Sequence, residues 1–303
     1  MTKKYIHFYL ILTFLFSACS NLKYLPEGEL LYVKGKVDVK GEKSSKREKK
    51  QMEENLEDLL RPRPNSKLLG LRPKLYIYNI AGTPKKEKGI KYWLKNKVGE
   101  PPVLFSQVNM DYNVDLLQNF VENKGYFNAK TSSDSTTRNK KVTTEYSTTL
   151  NNRYLIKEVL FPKDSSQITA AVSSTRENSF LKPGNPYDLD VIKAERVRID
   201  ANLKENGYYY FNPDYLLVQV DSTIGNREVS LRLKVKNETP EKAKNIYNIN
   251  NIYVYPNYSI TEDTLSETSA AAVKFKDLTI IDPEKKFKPQ IFERALQIGR
   301  AHV

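Results

Sequence analysis

The stretch that decides the fold begins Leu181-Lys182-Pro183-Gly184-Asn185-Pro186-Tyr187-Asp188 and closes on Asn206-Gly207-Tyr208-Tyr209-Tyr210-Phe211. Asp188 stands where a capping side chain accepts the free amides of a first helical turn. Leu189, Ile192, Ile199 and Leu203 then recur at helical spacing as one buried stripe. Gly207 ends the helix, because glycine takes the left-handed conformation that closes a last turn. The same grammar lies upstream, where Val114, Leu117 and Val121 form the face and Lys124-Gly125 the stop. In both places aromatic residues follow at once, Tyr126-Phe127 and Tyr208 to Phe211, and they read as the start of a strand.

Working outward, Val229, Leu231, Leu233 and Val235 alternate with Ser230, Arg232, Lys234 and Lys236, which predicts a half-buried strand. Val142 through Leu150 is its Thr-rich, less regular counterpart. Three other segments share a spacing that slips once, as a bulge would make it. They are Tyr154, Ile156, Val159, Phe161; Tyr247, Ile249, Ile252, Val254; and Tyr32, Lys34, Val37, Val39. Between them, Ser45 and Glu48 make a capping box for a helix with Met52, Leu56, Leu59 and Leu60 on one face and Pro62 after its end. Each unit therefore reads strand, helix, helix, strand, strand. The fold class is α+β, built from tandem copies of one two-layer module.

The expected organisation is a first module over residues 30–151 with an insertion from Arg61 to about Val103, a second over 152–239, and an incomplete third over 246–297. The third has its first strand at Tyr247–Tyr255 and a helix from Phe287 to Leu296, and the text stops before a second helix or closing strands. The last residues, 298–303, match one translated frame of a common sequencing adapter and are expected to be a non-native tail.

The N-terminus reads as an address. Lys3 and Lys4 precede the apolar run Tyr5 to Phe16, which is too short to span a bilayer but has the parts of a secretory signal. Leu15-Phe16-Ser17-Ala18-Cys19 resembles a bacterial lipobox, with Phe16 where Leu is commonest. Cys19, the one cysteine of the chain, is the expected lipid attachment site, carrying diacylglycerol on sulfur and a palmitate-type chain on the new amino terminus. Residues 1–18 are then a lipoprotein signal peptide and 19–29 a lipidated linker.

Composition removes most catalytic menus. The 303 residues hold 49 Lys and Arg against 36 Asp and Glu, one Cys and two His, His7 and His302, both terminal. A body without histidine or a second thiol runs no Ser-His-Asp or Cys-His chemistry and builds no common zinc site. No carboxylate pair, metal cluster or phosphate loop stands out, so no catalytic, cofactor or metal residue is assigned and the chain is read as a non-enzyme. The basic excess reads first as a solvated surface with no specific partner; among partners, anionic lipid head groups or lipopolysaccharide suit an exported lipoprotein better than nucleic acid.

The element order, the phrase Glu122-Asn123-Lys124-Gly125-Tyr126-Phe127 and the phrase Leu181 to Asp188 together resemble the POTRA domains of the BamA/TamA superfamily of outer-membrane assembly proteins. With the lipobox and the opening Asn21-Leu22-Lys23-Tyr24-Leu25-Pro26-Glu27-Gly28-Glu29-Leu30-Leu31, the chain is similar to the lipid-anchored TamA-like subfamily. The resemblance implies tandem POTRA-like modules in the periplasm, an outer-membrane location and a C-terminal membrane β-barrel that is missing here. It implies unfolded outer-membrane protein clients, an inner-membrane TamB-like partner, and membrane lipid held through Cys19. The expected function is insertion or translocation of outer-membrane proteins, with clients bound by β-augmentation. The alternative is a lipid-anchored tethering module without a barrel.

Overall fold

The computed structural model describes residues 21–41, 45–164, 166–256, 258 and 272–296. Cys19, the signal segment and residues 298–303 lie outside the described residues. The chain forms two compact units, one of residues up to Leu155 with 186–189, the other of 156–185 and the residues from Asp190 on.

In the first unit β1 (Leu31–Lys40) is followed by α1 (Lys46–Leu59), α2 (Pro73–Ala81), α3 (Ile90–Trp93), α4 (Met110–Asn123), β2 (Lys130–Arg138) and β3 (Lys141–Thr149). The sheet order is β1-β3-β2, with β1 parallel and β2 antiparallel to β3. β1 does slip, but earlier than its spacing implies: the register shifts between Tyr32 and Lys34, not between Lys34 and Val37. Gly35 sits just beyond, where a Cβ would collide with the Tyr32 hydroxyl and Leu60. The α1 capping box is formed, with Ser45 Oγ accepting from Glu48 N at 3.2 Å and Glu48 Oε2 from Ser45 N at 2.8 Å.

The core of this unit joins Val37, Val39, Leu56, Leu60, Leu117, Val121, Ala129, Tyr146 and Leu150. The Thr-rich strand proves regular. Val142, Thr144, Tyr146 and Thr148 of β3 all point inward, and the two threonines find partners in the Tyr32 and Thr131 hydroxyls. The insertion is clipped at its base by buried Asn65, which donates to Pro101 O at 2.7 Å and accepts from Val103 N at 3.0 Å. Past that clip, α2 packs against a π turn over Leu94–Val98.

In the second unit β4 (Leu155–Leu160), α5 (Gln167–Ser174), α6 (Leu189–Glu205), β5 (Leu216–Asp221) and β6 (Glu228–Val235) repeat the order, and the sheet is again β4-β6-β5. The stripe on α6 is as read from sequence, with Ile192, Ile199 and Leu203 buried. A short α7 (Glu241–Lys244) leads to β7 (Ile252–Val254), β8 (Ala272–Phe275), β9 (Leu278–Ile281) and α8 (Pro289–Ala295).

Three details correct the sequence reading. The aromatics after Gly125 and Gly207 are not strand residues; β2 and β5 begin at Lys130 and Leu216. They lie in turns instead, and there Tyr208 and Phe211 bury their rings while Tyr209 and Tyr210 stay outside. The strand expected over Tyr247–Tyr255 is only β7, and its register with β9 runs without a slip. Its partner belongs to the hairpin β8–β9, which the sequence reading lacks and which places a third three-stranded sheet, β7-β9-β8, before α8.

Candidate functional site: the free edges of the sheets

A sheet edge binds extended chain only if its outward amides and carbonyls are unpaired. Successive strand residues direct their backbone groups to opposite sides, so one hydrogen bond fixes the parity of a strand. Leu150 N donates to Lys40 O at 2.7 Å, so even-numbered residues of β3 address β1 and odd-numbered ones address β2. Beyond the slip, even-numbered β1 residues therefore face β3 and odd-numbered ones face away; before it the parity is reversed, with Leu31 N donating to Lys140 O at 2.9 Å.

That outer edge of β1 is closed by the chain itself. Tyr32 N donates to Val103 O at 2.9 Å and Phe105 N to Leu30 O at 2.8 Å, covering the strand's beginning. Arg72 Nη2 donates to Val33 O at 2.7 Å. Farther along, Val37 N donates to Glu57 Oε1 at 3.2 Å and Val39 N to Glu53 Oε1 at 3.1 Å. Two carboxylates one turn apart on α1 thus stand in for a neighbouring strand.

The opposite edge, β2, is open. The register pairs Lys130 with Thr149 and Asp134 with Glu145, so the even-numbered residues of β2 meet β3. The amides of Thr131, Ser133, Ser135 and Thr137 face outward. The only one of them with a hydrogen-bond acceptor among the described residues is Ser135 N, which its neighbour Asp134 Oδ1 takes at 2.7 Å. Asp134-Ser135-Thr136 therefore lies mid-strand on this edge.

The second unit repeats the arrangement. Ile156 on β4 donates to Asn185 O at 2.8 Å and accepts from Gly184 N at 2.7 Å, so the helix-entry phrase read from sequence closes the beginning of the first strand's edge. On the other side Lys236 N donates to Tyr215 O at 2.8 Å, which turns odd-numbered β5 residues to β6 and leaves the amides of Val218 and Val220 outward, while that of Leu216 closes the preceding turn on Pro213 O. The open β2 edge is Ser- and Thr-rich; the open β5 edge carries half-exposed Leu217 and Val220.

Cys19, the expected lipid site, lies just before the described residues. A 3-10 turn over Asn21–Tyr24 is the first described element, and Asn79 Nδ2 on α2 donates to Asn21 Oδ1 at 3.1 Å. Among the described residues no three His, Cys, Asp or Glu side chains gather as a metal site would, and no helix is long and apolar enough to cross a membrane. Sequence reasoning missed the edge-closing Glu53 and Glu57. Their signal was an i, i+4 carboxylate pair flanking Leu56 on the face of α1 that meets the sheet.

No family profile matches the chain, and no curated protein matches it significantly. Among solved structures it is similar to POTRA modules 3–5 of BamA from Haemophilus influenzae, at 14% identity, 80% of this chain, 77% of that one and a TM-score of 0.37. It is also similar to POTRA modules 1–2 and 1–3 of the periplasmic domain of Omp85 from Anabaena, both with TM-scores of 0.32. The first is 12% identical and covers 74% of this chain and 100% of that one; the second is 11% identical and covers 89% and 77%. All are POTRA regions. With TM-scores below 0.5 these likenesses carry no further argument, and the module architecture rests on the element order and strand pairing above.

Proposed function

We propose that this chain is the periplasmic POTRA arm of an outer-membrane protein insertion or translocation factor, held to the membrane by lipid on Cys19. Extended client segments add to the sheets along β2 and β5. One observation carries the reading: both modules cover the outer edge of their first strand with their own chain, along β1 and at the beginning of β4, and leave the hairpin edge open. Main-chain pairing is tolerant of sequence, which suits a device that handles many unfolded barrel strands. The TamB-like partner implied by the resemblance would present extended β structure of the same kind and compete for the same edges.

The test is a proline on the open edge. Thr137 is exposed, its outward amide has no acceptor among the described residues, and the residue before it is already extended, so Thr137→Pro removes a client donor without removing a ladder bond. Crosslinking to a denatured outer-membrane barrel protein should fall several-fold while the melting curve stays in place. The charge swaps Asp134→Lys and Arg138→Glu should change it little. If the swaps abolish crosslinking and the proline does nothing, capture is electrostatic and the edge reading fails.

A further inference from the structure

The insertion of the first unit carries a feature that client binding does not use. Leu68 and Leu71 exchange hydrogen bonds, Leu68 N to Leu71 O at 2.9 Å and Leu71 N to Leu68 O at 3.0 Å, closing a tight turn with Leu69 and Gly70 at its tip. Leu69 takes a positive φ of 50°, an uncommon conformation for a bulky residue, and is 96% exposed; Leu68 is 65% exposed. A locked turn that holds two leucines in water has no account in the packing of the unit.

Around this tip stand several cations, while the nearby acid, Glu100, is taken by Ser66 and Lys74. Burial lowers the Lys67 ammonium from its ordinary pKa, and the nearby charges of Arg72, Lys34 and Lys141 lower it further. Among the described residues none of these four forms an ion pair, and Arg72 Nε is buried with no hydrogen-bond partner. Burial also lowers the Arg72 guanidinium, which is fixed in place by its bond to Val33 O. The insertion as a whole, residues 61–103, has eleven Lys and Arg against Glu87 and Glu100 alone.

We propose that the Leu68–Leu71 tip, with its collar of Lys34, Lys67, Arg72 and Lys141, docks into the surface of an anionic phospholipid membrane. A bilayer surface offers both partners in one geometry, with acyl chains for the leucines and phosphates for the cations a few ångströms above them. The position of the tip agrees. Pro73 opens α2 directly after the collar, and Asn79, about 9 Å along that helix, holds Asn21. Asn21 is two residues, about 7 Å of extended chain, from Cys19. The inference rests in part on lipid attachment there, and the tip then works as a second contact that orients the first unit on the membrane, since one lipid anchor alone leaves rotation free.

The experiment removes the anchor. The chain from Ser20 onward, which lacks Cys19 and its acyl groups, is sedimented with phosphatidylcholine vesicles and with phosphatidylcholine–phosphatidylglycerol vesicles. The expected result is binding to the anionic vesicles only, weakened by salt. Leu69→Asp and Lys67→Glu should each lower it about tenfold, since each lysine or arginine near such a surface strengthens binding measurably. Lys163→Glu, the same charge change in the second unit, should leave it within about twofold by the same measure. A Leu69→Trp probe in a Trp93→Phe background, which removes the one native tryptophan, should shift its emission to the blue on anionic vesicles. No binding to anionic vesicles overturns the proposal. So does binding that Lys163→Glu weakens as much as Lys67→Glu while Leu69→Asp leaves it intact. Thr137→Pro should bind vesicles normally and Leu69→Asp should crosslink clients normally, so failure here and failure of the edge reading are separable.

Discussion

Glu195 shows what a single charged residue does inside the second unit. Its side chain is fully buried on α6, in the same stripe as Ile192 and Ile199. It accepts from Arg198 Nε at 2.8 Å and from Phe180 N at 2.9 Å, while Arg198 Nη2 also donates to Thr175 O at 3.1 Å. Burial alone would push the Glu195 carboxyl up, but hydrogen bonds from Arg198, Phe180 and Ser179, with the Arg198 charge, outweigh it and leave it below the ordinary range. A depressed acid stabilises the fold above its unfolded value of about 4.3, and that contribution is lost as pH falls through the folded value. Glu195→Gln should therefore lower unfolding free energy at neutral pH by about 3 kcal/mol. In denaturant titrations the gap between variant and parent should narrow below about pH 4; a gap that stays constant into acid would refute this role. The sequence shows a glutamate at a stripe position but not its compensation, because Phe180 and Thr175 reach it through the folded connection between α5 and α6.

At the scale of elements, what could be read and what could not divide by where the partner lies. The α1 capping box, the α6 stripe and the glycine stops depend on neighbours three or four residues away, and each formed as read. The aromatic turns after Gly125 and Gly207 read as strands in sequence because β propensity cannot tell a ring that plugs a core from one that pairs across a ladder. Tyr208, for example, reaches back to Gln167 O at 3.2 Å. The strand β2 has no hydrophobic alternation, and β8–β9 is a hairpin of four-residue strands around Lys276-Asp277, so neither gave a periodic signal. The open and closed edges were not legible at all, since closure depends on α1 meeting β1. Removing that closure is the direct test of it. Glu53→Ala with Glu57→Ala should cost about 2 kcal/mol, allowing for the exposure of Glu57, and should free the amides of Val37 and Val39. The variant should then self-associate or crosslink clients along β1 in size-exclusion and crosslinking assays. Loss of stability with no new pairing would mean the carboxylates only support packing.

Across the whole molecule one turn is used twice. Gly125 and Gly207 both take φ of 90°, and both receive the backbone of a tyrosine that begins the next segment. Tyr154 N donates to Gly125 O at 2.9 Å within the first unit, and Tyr247 N donates to Gly207 O at 2.8 Å within the second. A Cβ on Gly125 would stand 2.8 Å from Tyr187 O, and one on Gly207 2.9 Å from Tyr247 O. The rings reinforce each clasp, Phe127 against Tyr154 at 5.0 Å and Tyr210 against Tyr247 at 5.1 Å between centroids. The helix-ending role of these glycines is visible in sequence; their role as a seat for the following segment is not, because the seated tyrosine is tens of residues later. Alanine at either site meets a backbone oxygen as well as an unfavourable φ, so each substitution should destabilise its own unit by about 2 kcal/mol or more. Each should also release only its own segment. Gly125→Ala should speed limited proteolysis around residues 151–154 and leave 245–248 as resistant as before, and Gly207→Ala should do the reverse. Equal release of both segments by either variant would mean that the two clasps are not independent copies of one device.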